Sequence, residues 1–208
     1  NNLESKKKIY KILSYNNCYK IISLGSCWEY GLTYGKVSER KTRIKQINDF
    51  GKTKVKILEF LQMLKKNYNT KYIWLRVFFV YGPNNKKNSL IPSCFRDLIL
   101  YKKFLPNNPK AANDFVYVDD VARAIYLCLN NKSAQGIYNL GSGKPQSINK
   151  LAGLIGGKKR VYLASRPGEP IITHADIDKI VKKIGWKPKV SFNLGVKEML
   201  SNIDYWKN

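Results

Sequence analysis

Apolar positions recur along this chain with two different periods, and each change of period marks a change of element. Residues 3–15 carry Ile9, Ile12 and Leu13 at helical spacing among lysines, which predicts an amphipathic helix. Residues 20–24 follow as a short apolar run that fits a buried strand. The pair then repeats. Residues 51–68 place Val55, Leu58, Met63 and Leu64 at roughly helical intervals, and residues 71–80 form a β-branched and aromatic run ended by Gly82 and Pro83. A third strand is predicted over 115–118, leading into a helix over 119–129 whose N-terminus Asp119 or Asp120 would cap. A fourth, over 137–140, is stopped by Gly141, Ser142 and Gly143.

Strands separated by helices of this length need crossover connections, so the sheet should be largely parallel with helices on both faces. That is a doubly wound α/β fold. The tail changes character: short helices are expected over 147–155, 176–184 and 193–206, joined by loops that contain Pro145, Pro167, Pro170 and Pro188. These predict a smaller, mainly helical lobe on the carboxyl edge of the sheet, where folds of this class bind ligands.

Composition narrows the classes. With 208 residues and 44% hydrophobic content, the chain can bury one sizeable core or a core with a smaller lobe. No apolar run approaches the ~20 residues that cross a bilayer, and no secretion signal opens the chain, so a cytoplasmic protein without a membrane partner is expected. Lysine and arginine number 38 against 14 aspartates and glutamates, a net charge of +24. The lysines are spread along the whole length instead of forming one block, which predicts loose attraction to anions and no specific nucleic-acid partner. Cys18, Cys27, Cys94 and Cys128 form no Cys-x-x-Cys pair, and His174 is the only histidine, so neither a metal site nor a disulfide framework is indicated.

One spacing carries chemistry. Lys54 lies four residues after Phe50, so on a helix the two side chains share a face. A lysine so placed can lower the pKa of a neighbouring phenol and hold a ribose. Phe50 has no phenolic proton. Nearby Gly51-Lys52-Thr53 ends like a phosphate loop, but Gln46 stands where its first glycine would fall.

The motifs then fall into a series. Gly25-Ser26-Cys27-Trp28-Glu29-Tyr30-Gly31 at a strand end is followed by Phe50-x-x-x-Lys54, by Leu75-Arg76-Val77 with Val80-Tyr81-Gly82-Pro83, and by Asp114-Phe115-Val116-Tyr117-Val118-Asp119-Asp120-Val121-Ala122. Tyr138-Asn139-Leu140-Gly141-Ser142-Gly143, Arg166-Pro167-Gly168-Glu169 and Gly185-Trp186-Lys187-Pro188 complete it. In this order, over nearly the whole chain, the series resembles the extended short-chain dehydrogenase/reductases that act on nucleotide sugars, the NAD-dependent epimerase/dehydratase family.

That resemblance implies the C-terminal part of a Rossmann-like domain, with residues 1–82 and 115–141 in the dinucleotide-binding α/β part and 83–114 and 142–208 in the substrate-binding lobe. It implies NAD or NADP as cofactor, a nucleotide-sugar substrate, and a possible homodimer through the helices of 3–15 and 51–68. Ser26 matches the serine or threonine that hydrogen-bonds the sugar hydroxyl or carbonyl, Lys54 the lysine that binds the nicotinamide ribose, and Phe50 the place of the catalytic tyrosine. Arg166 matches an arginine on the substrate diphosphate. Phe79 stands where epimerases often have an asparagine on the substrate, and Asn113 where a second phosphate-binding arginine often stands.

Dehydratases of the family carry an Asp-Glu pair where this chain has Cys27 and Trp28, and Glu29 is expected to point elsewhere, so epimerisation or 4-keto reduction is the implied reaction. The resemblance begins late, without the glycine-rich dinucleotide turn. The expectation is therefore a fragment or impaired form lacking roughly a hundred leading residues, because a complete dinucleotide fold needs both halves of the sheet. The alternative is a non-catalytic relative that binds a sugar nucleotide or a partner subunit.

Overall fold

Why the chain alternates elements is visible in its first two units. In the computed structural model, which describes residues 2–101, 112–155 and 172–202, α1 (Asn2–Tyr15) leads into β1 (Lys20–Ser26). The three-residue 3-10 turn Cys27–Glu29 and the short β2 (Gly35–Val37) follow. The Asn48 side chain accepts the Gly51 N–H and so starts α2 (Asp49–Tyr68), which ends where Asn69 takes the left-handed conformation. β3 (Lys71–Val77) returns parallel to β1, pairing Lys20 with Lys71 and Ser26 with Val77.

The second half repeats the crossover with more interruptions. β4 (Phe79–Tyr81), α3 (Leu90–Tyr101), β5 (Ala112–Asn113) and β6 (Phe115–Tyr117) precede α4 (Val118–Asn130), which crosses to β7 (Gly136–Leu140), again parallel to β3. β8 (Gln146–Ser147), α5 (Ile148–Leu154), β9 (Ile172–Ala175), α6 (Asp178–Ile184) and α7 (Phe192–Ser201) complete the described chain. The order β1-β3-β7 forms the main sheet, β4 pairs with β6, and β2-β9-β5-β8 forms a second sheet whose only antiparallel pair is β5 with β8.

Both faces of the main sheet are covered. Tyr10 of α1 and Ile57, Leu58, Leu61 and Leu64 of α2 pack on Ile21, Tyr72 and Trp74. On the other face Val121, Ala124 and Cys128 of α4, with Ile180, Ile184 and Trp186, pack on Ile73, Leu75, Tyr138 and Leu140. This is the doubly wound, Rossmann-like arrangement that the pattern predicts. A third core joins α3, α5 and α7 to Tyr81, Phe115 and Tyr117.

Local departures have local causes. In α1, Ile9, Ile12 and Leu13 are exposed, because the helix is turned to bury Tyr10, whose hydroxyl shares a 2.6 Å hydrogen bond with Ser23. In α2, Ile57 and Leu61 are in the core where Val55 and Met63 are expected. The run 71–80 is two strands, since the Phe78 N–H still bonds Leu140 whereas the Phe79 N–H turns to Asp114 and enters the pairing with β6. Neither Asp119 nor Asp120 caps α4: Tyr117 is its N-cap, with no side-chain bond. Asp120 is instead buried, accepting the Lys189 and Val190 N–H groups and Arg123, so it fastens the segment before α7 onto α4. The expected helix 193–206 begins earlier, at Phe192, and its last part, residues 203–206, lies outside the described residues.

Candidate active site

Ser26 is the last residue of β1 and is buried, with its hydroxyl accepting the Trp28 N–H at 3.3 Å. In return the Glu29 carboxylate accepts the Ser26 N–H at 2.8 Å, a capping box around the short turn. α2 starts against this turn. A Cβ on Gly51 would lie 2.5 Å from the Trp28 carbonyl oxygen, so the helix comes this close only because position 51 is glycine.

One turn further on, the Lys54 ammonium donates to the Leu24 carbonyl at 2.8 Å, on the same strand as Ser26. It also lies 5.4 Å from the centre of the Phe50 ring, a cation–π distance. Burial pushes the Lys54 ammonium below the usual lysine range, with the Lys6 charge adding to the effect and Glu29 opposing it. Phe50 is 55% exposed. The structure thus brings Ser26, Phe50 and Lys54 to one end of β1, with the Lys54 ammonium between the strand and the Phe50 ring.

Phe79 and Asn113, two further sequence candidates, lie on other strands. Phe79 opens β4 and packs both on Phe115, with ring centres 6.1 Å apart, and on the group formed by Cys27, Tyr30 and Phe78. Asn113 lies in the second sheet, opposite Gln146 of β8 and Thr173 of β9. Arg166 lies outside the described residues. Among the described residues no group of three or more His, Cys, Asp or Glu side chains gathers as for a metal.

Behind Ser26 lies a buried polar network that motif reading passes over. Glu29 has 0% exposure, its Oε1 accepting the Trp74 indole N–H at 2.9 Å and its Oε2 the Arg76 Nε–H at 2.7 Å. Arg76 Nη1 also donates to the Tyr30 hydroxyl, at 3.1 Å. That hydroxyl donates to Asn139 Oδ1 at 2.7 Å, and Asn139 Nδ2 donates to the Val37 carbonyl at 2.9 Å. The signal was present: Arg76 is a charge inside a strand whose only other charge, Lys71, stands at its first position, and a buried guanidinium requires a buried acid. A second hub is Asp114, which accepts from the Ser142, Gly143 and Ala175 N–H groups and so ties the 141–143 turn to β9. Burial raises its carboxyl pKa, opposed by these donors.

Comparison with known proteins follows the same line as the fold. The profile of the NAD dependent epimerase/dehydratase family matches residues 1–141. The chain belongs to this family. It is 27% identical over 213 aligned positions to a dTDP-4-dehydro-6-deoxyglucose reductase of Escherichia coli, covering 93% of this chain and 64% of that one. To a UDP-glucuronate 4-epimerase of Thermodesulfobacterium geofontis it is 36% identical over 137, covering 61% and 41%. Among solved structures, the UDP-glucuronic acid 4-epimerase of Bacillus cereus, in complex with UDP-glucuronic acid and NAD, superposes with a TM-score of 0.90 at 25% identity, over 99% of this chain and 68% of that one. A tyrosine-to-phenylalanine mutant of the same enzyme, holding a 4-deoxy-4-fluoro analogue and NAD, superposes equally well. The chain therefore spans less than two thirds of the length of these two curated relatives.

Proposed function

We propose that the whole protein is an NAD-dependent 4-epimerase or 4-keto reductase of a nucleotide-activated sugar, to which this chain contributes the active-site hydroxyl, the ammonium and the substrate lobe. The observation that carries this reading is the meeting of Ser26 and Lys54 at one end of β1 within the family's fold. Ser26 uses its oxygen to accept the Trp28 N–H, which leaves its own proton to donate to the sugar C4 oxygen. Lys54 has one of three ammonium protons committed to Leu24 and two left for ribose hydroxyls, so it fits a dinucleotide cofactor. NAD, when bound, supplies the hydride acceptor or donor. Arg166 serves the diphosphate, while Phe79 and Asn113 give the substrate side an apolar and a neutral polar surface in place of the family's asparagine and arginine. Residues 1–82 and 115–141 form the cofactor-side part, and 83–114 with 142–208 the substrate side.

Dehydration does not fit this site. Elimination of water needs an acid and a base on adjacent carbons. Burial raises the Cys27 thiol to about 12, and the Glu29 carboxylate is spent on Arg76, Trp74 and Ser26. The exposed Ile9, Ile12 and Leu13 of α1, together with α2, suit a homodimer, and a cytoplasmic location suits a nucleotide-sugar substrate.

Phe50 favours a second reading, in which the protein binds a sugar nucleotide and turns it over slowly or not at all. A phenylalanine in place of a tyrosine is compatible with holding a sugar nucleotide and NAD together in the Bacillus cereus mutant complex. One substitution separates the readings. Phe50→Tyr in the whole protein should raise turnover of UDP-glucuronic acid or a 4-keto sugar nucleotide by about 10²- to 10⁴-fold, the usual worth of a general acid/base. An unchanged rate in the presence of NAD counts against the enzyme reading.

A further inference from the structure

Glu29 accepts the Ser26 N–H, and the proposed chemistry leaves its carboxylate unused. Its surroundings are built around it. A Cβ on Gly25 would lie 2.4 Å from Glu29 Oε1 and 2.2 Å from the Trp74 indole nitrogen, so glycine at position 25 is what admits both groups. Trp74 and Arg76 sit two apart on β3, which presents both side chains to the same face of the sheet, where Glu29 meets them. The ion pair is closed to water, with side-chain exposures of 4% for Arg76 and 0% for Glu29. A carboxylate left unpaired in such a place would be strongly unfavourable, so the pair holds a fixed geometry.

We propose that Glu29 is a positioning residue for Ser26, acting through the Ser26 N–H and held in place by Arg76 and Trp74. This rests on the reading of Ser26 as the group that meets the sugar. The strand end is pinned at two points: Glu29 fixes the Ser26 backbone, and the Trp28 N–H occupies one of the hydroxyl's two lone pairs, which leaves the other lone pair and the proton for a sugar oxygen. Tyr30 and Asn139 extend the same support to β7, so Ser26 is referenced to three strands of the main sheet.

Glu29→Gln tests this in the 208-residue chain, since it keeps the shape and removes the charge. In proton–nitrogen NMR spectra the Trp74 indole and Ser26 amide signals should move upfield, and hydrogen exchange at the Ser26 amide should quicken by about tenfold, the worth of one charge-assisted hydrogen bond. Affinity for UDP-glucuronic acid should fall by a similar factor in Glu29→Gln and in Ser26→Ala, and the double variant should bind no worse than Ser26→Ala alone. Losses that add would make Glu29 a general support of the fold and overturn the proposal. A wild-type chain that does not bind UDP-glucuronic acid refutes the functional reading, and amide exchange then decides the positioning role alone: equal Ser26 rates in wild type and Glu29→Gln overturn it. If Glu29→Gln does not fold, exchange in the wild-type chain decides. A protected Ser26 amide supports the assignment, and one exchanging like an unstructured peptide ends it.

Discussion

Cys27 and Trp28 follow Ser26 directly, and neither brings an ionised side chain to the site. The thiol of Cys27 is pushed up to about 12 and that of Cys128 to about 11, in both cases first by burial, and burial likewise raises Cys94. The thiolate is the reactive form, so its fraction falls about tenfold for each pH unit below the pKa. At pH 8, a disulfide reagent such as DTNB should therefore label only the half-buried Cys18 promptly in the folded chain, and all four cysteines in urea. Rapid labelling located at Cys27 itself by peptide mapping would show that this thiol is reachable and that an acid at this position is open to the chemistry. Residue by residue, the pairing of Phe50 with Lys54 was legible because their spacing is about one helical turn, whereas Ser26 stood out only through the resemblance. Glu29 was legible only as a residue that points away, because its partners Trp74 and Arg76 are 45 and 47 positions distant.

At the scale of elements, the long helices and central strands were readable because burial imposes their period. The two-residue strands β5 and β8 and the short β2 and β4 escaped, since so few residues carry no period and they are fixed by partners far along the chain. The rotation of α1 escaped for a related reason. Its apolar positions Ile9, Ile12 and Leu13 read as a core face, yet they are exposed, and the Tyr15 ring lies tilted beside that of Tyr68 of α2 with centres 5.1 Å apart. If this face is the homodimer surface proposed above, Ile12→Glu with Leu13→Glu should weaken self-association at least tenfold by sedimentation. The urea midpoint of the dilute chain should change little, because surface substitutions typically cost within about 0.5 kcal/mol. A loss of stability as large as a core substitution would instead place these residues inside the fold.

For the whole molecule, the charge of +24 is the property most open to misreading. Duplex DNA of random sequence should bind at about 50 mM salt and be released by about 200 mM, as expected where phosphate contacts alone contribute. Retention with a sequence preference at the higher salt would overturn the view of the lysines as a diffuse field. That field does suit anionic nucleotide sugars, whose approach it would quicken. The frame around position 50 has a last implication. Phe50 is 55% exposed with the Lys54 ammonium over its ring, so a phenol at this position would sit at a solvent-facing site beside a cation. Phenylalanine and tyrosine codons differ at one base, so a single transversion in the gene separates the present site from one with its proton donor restored.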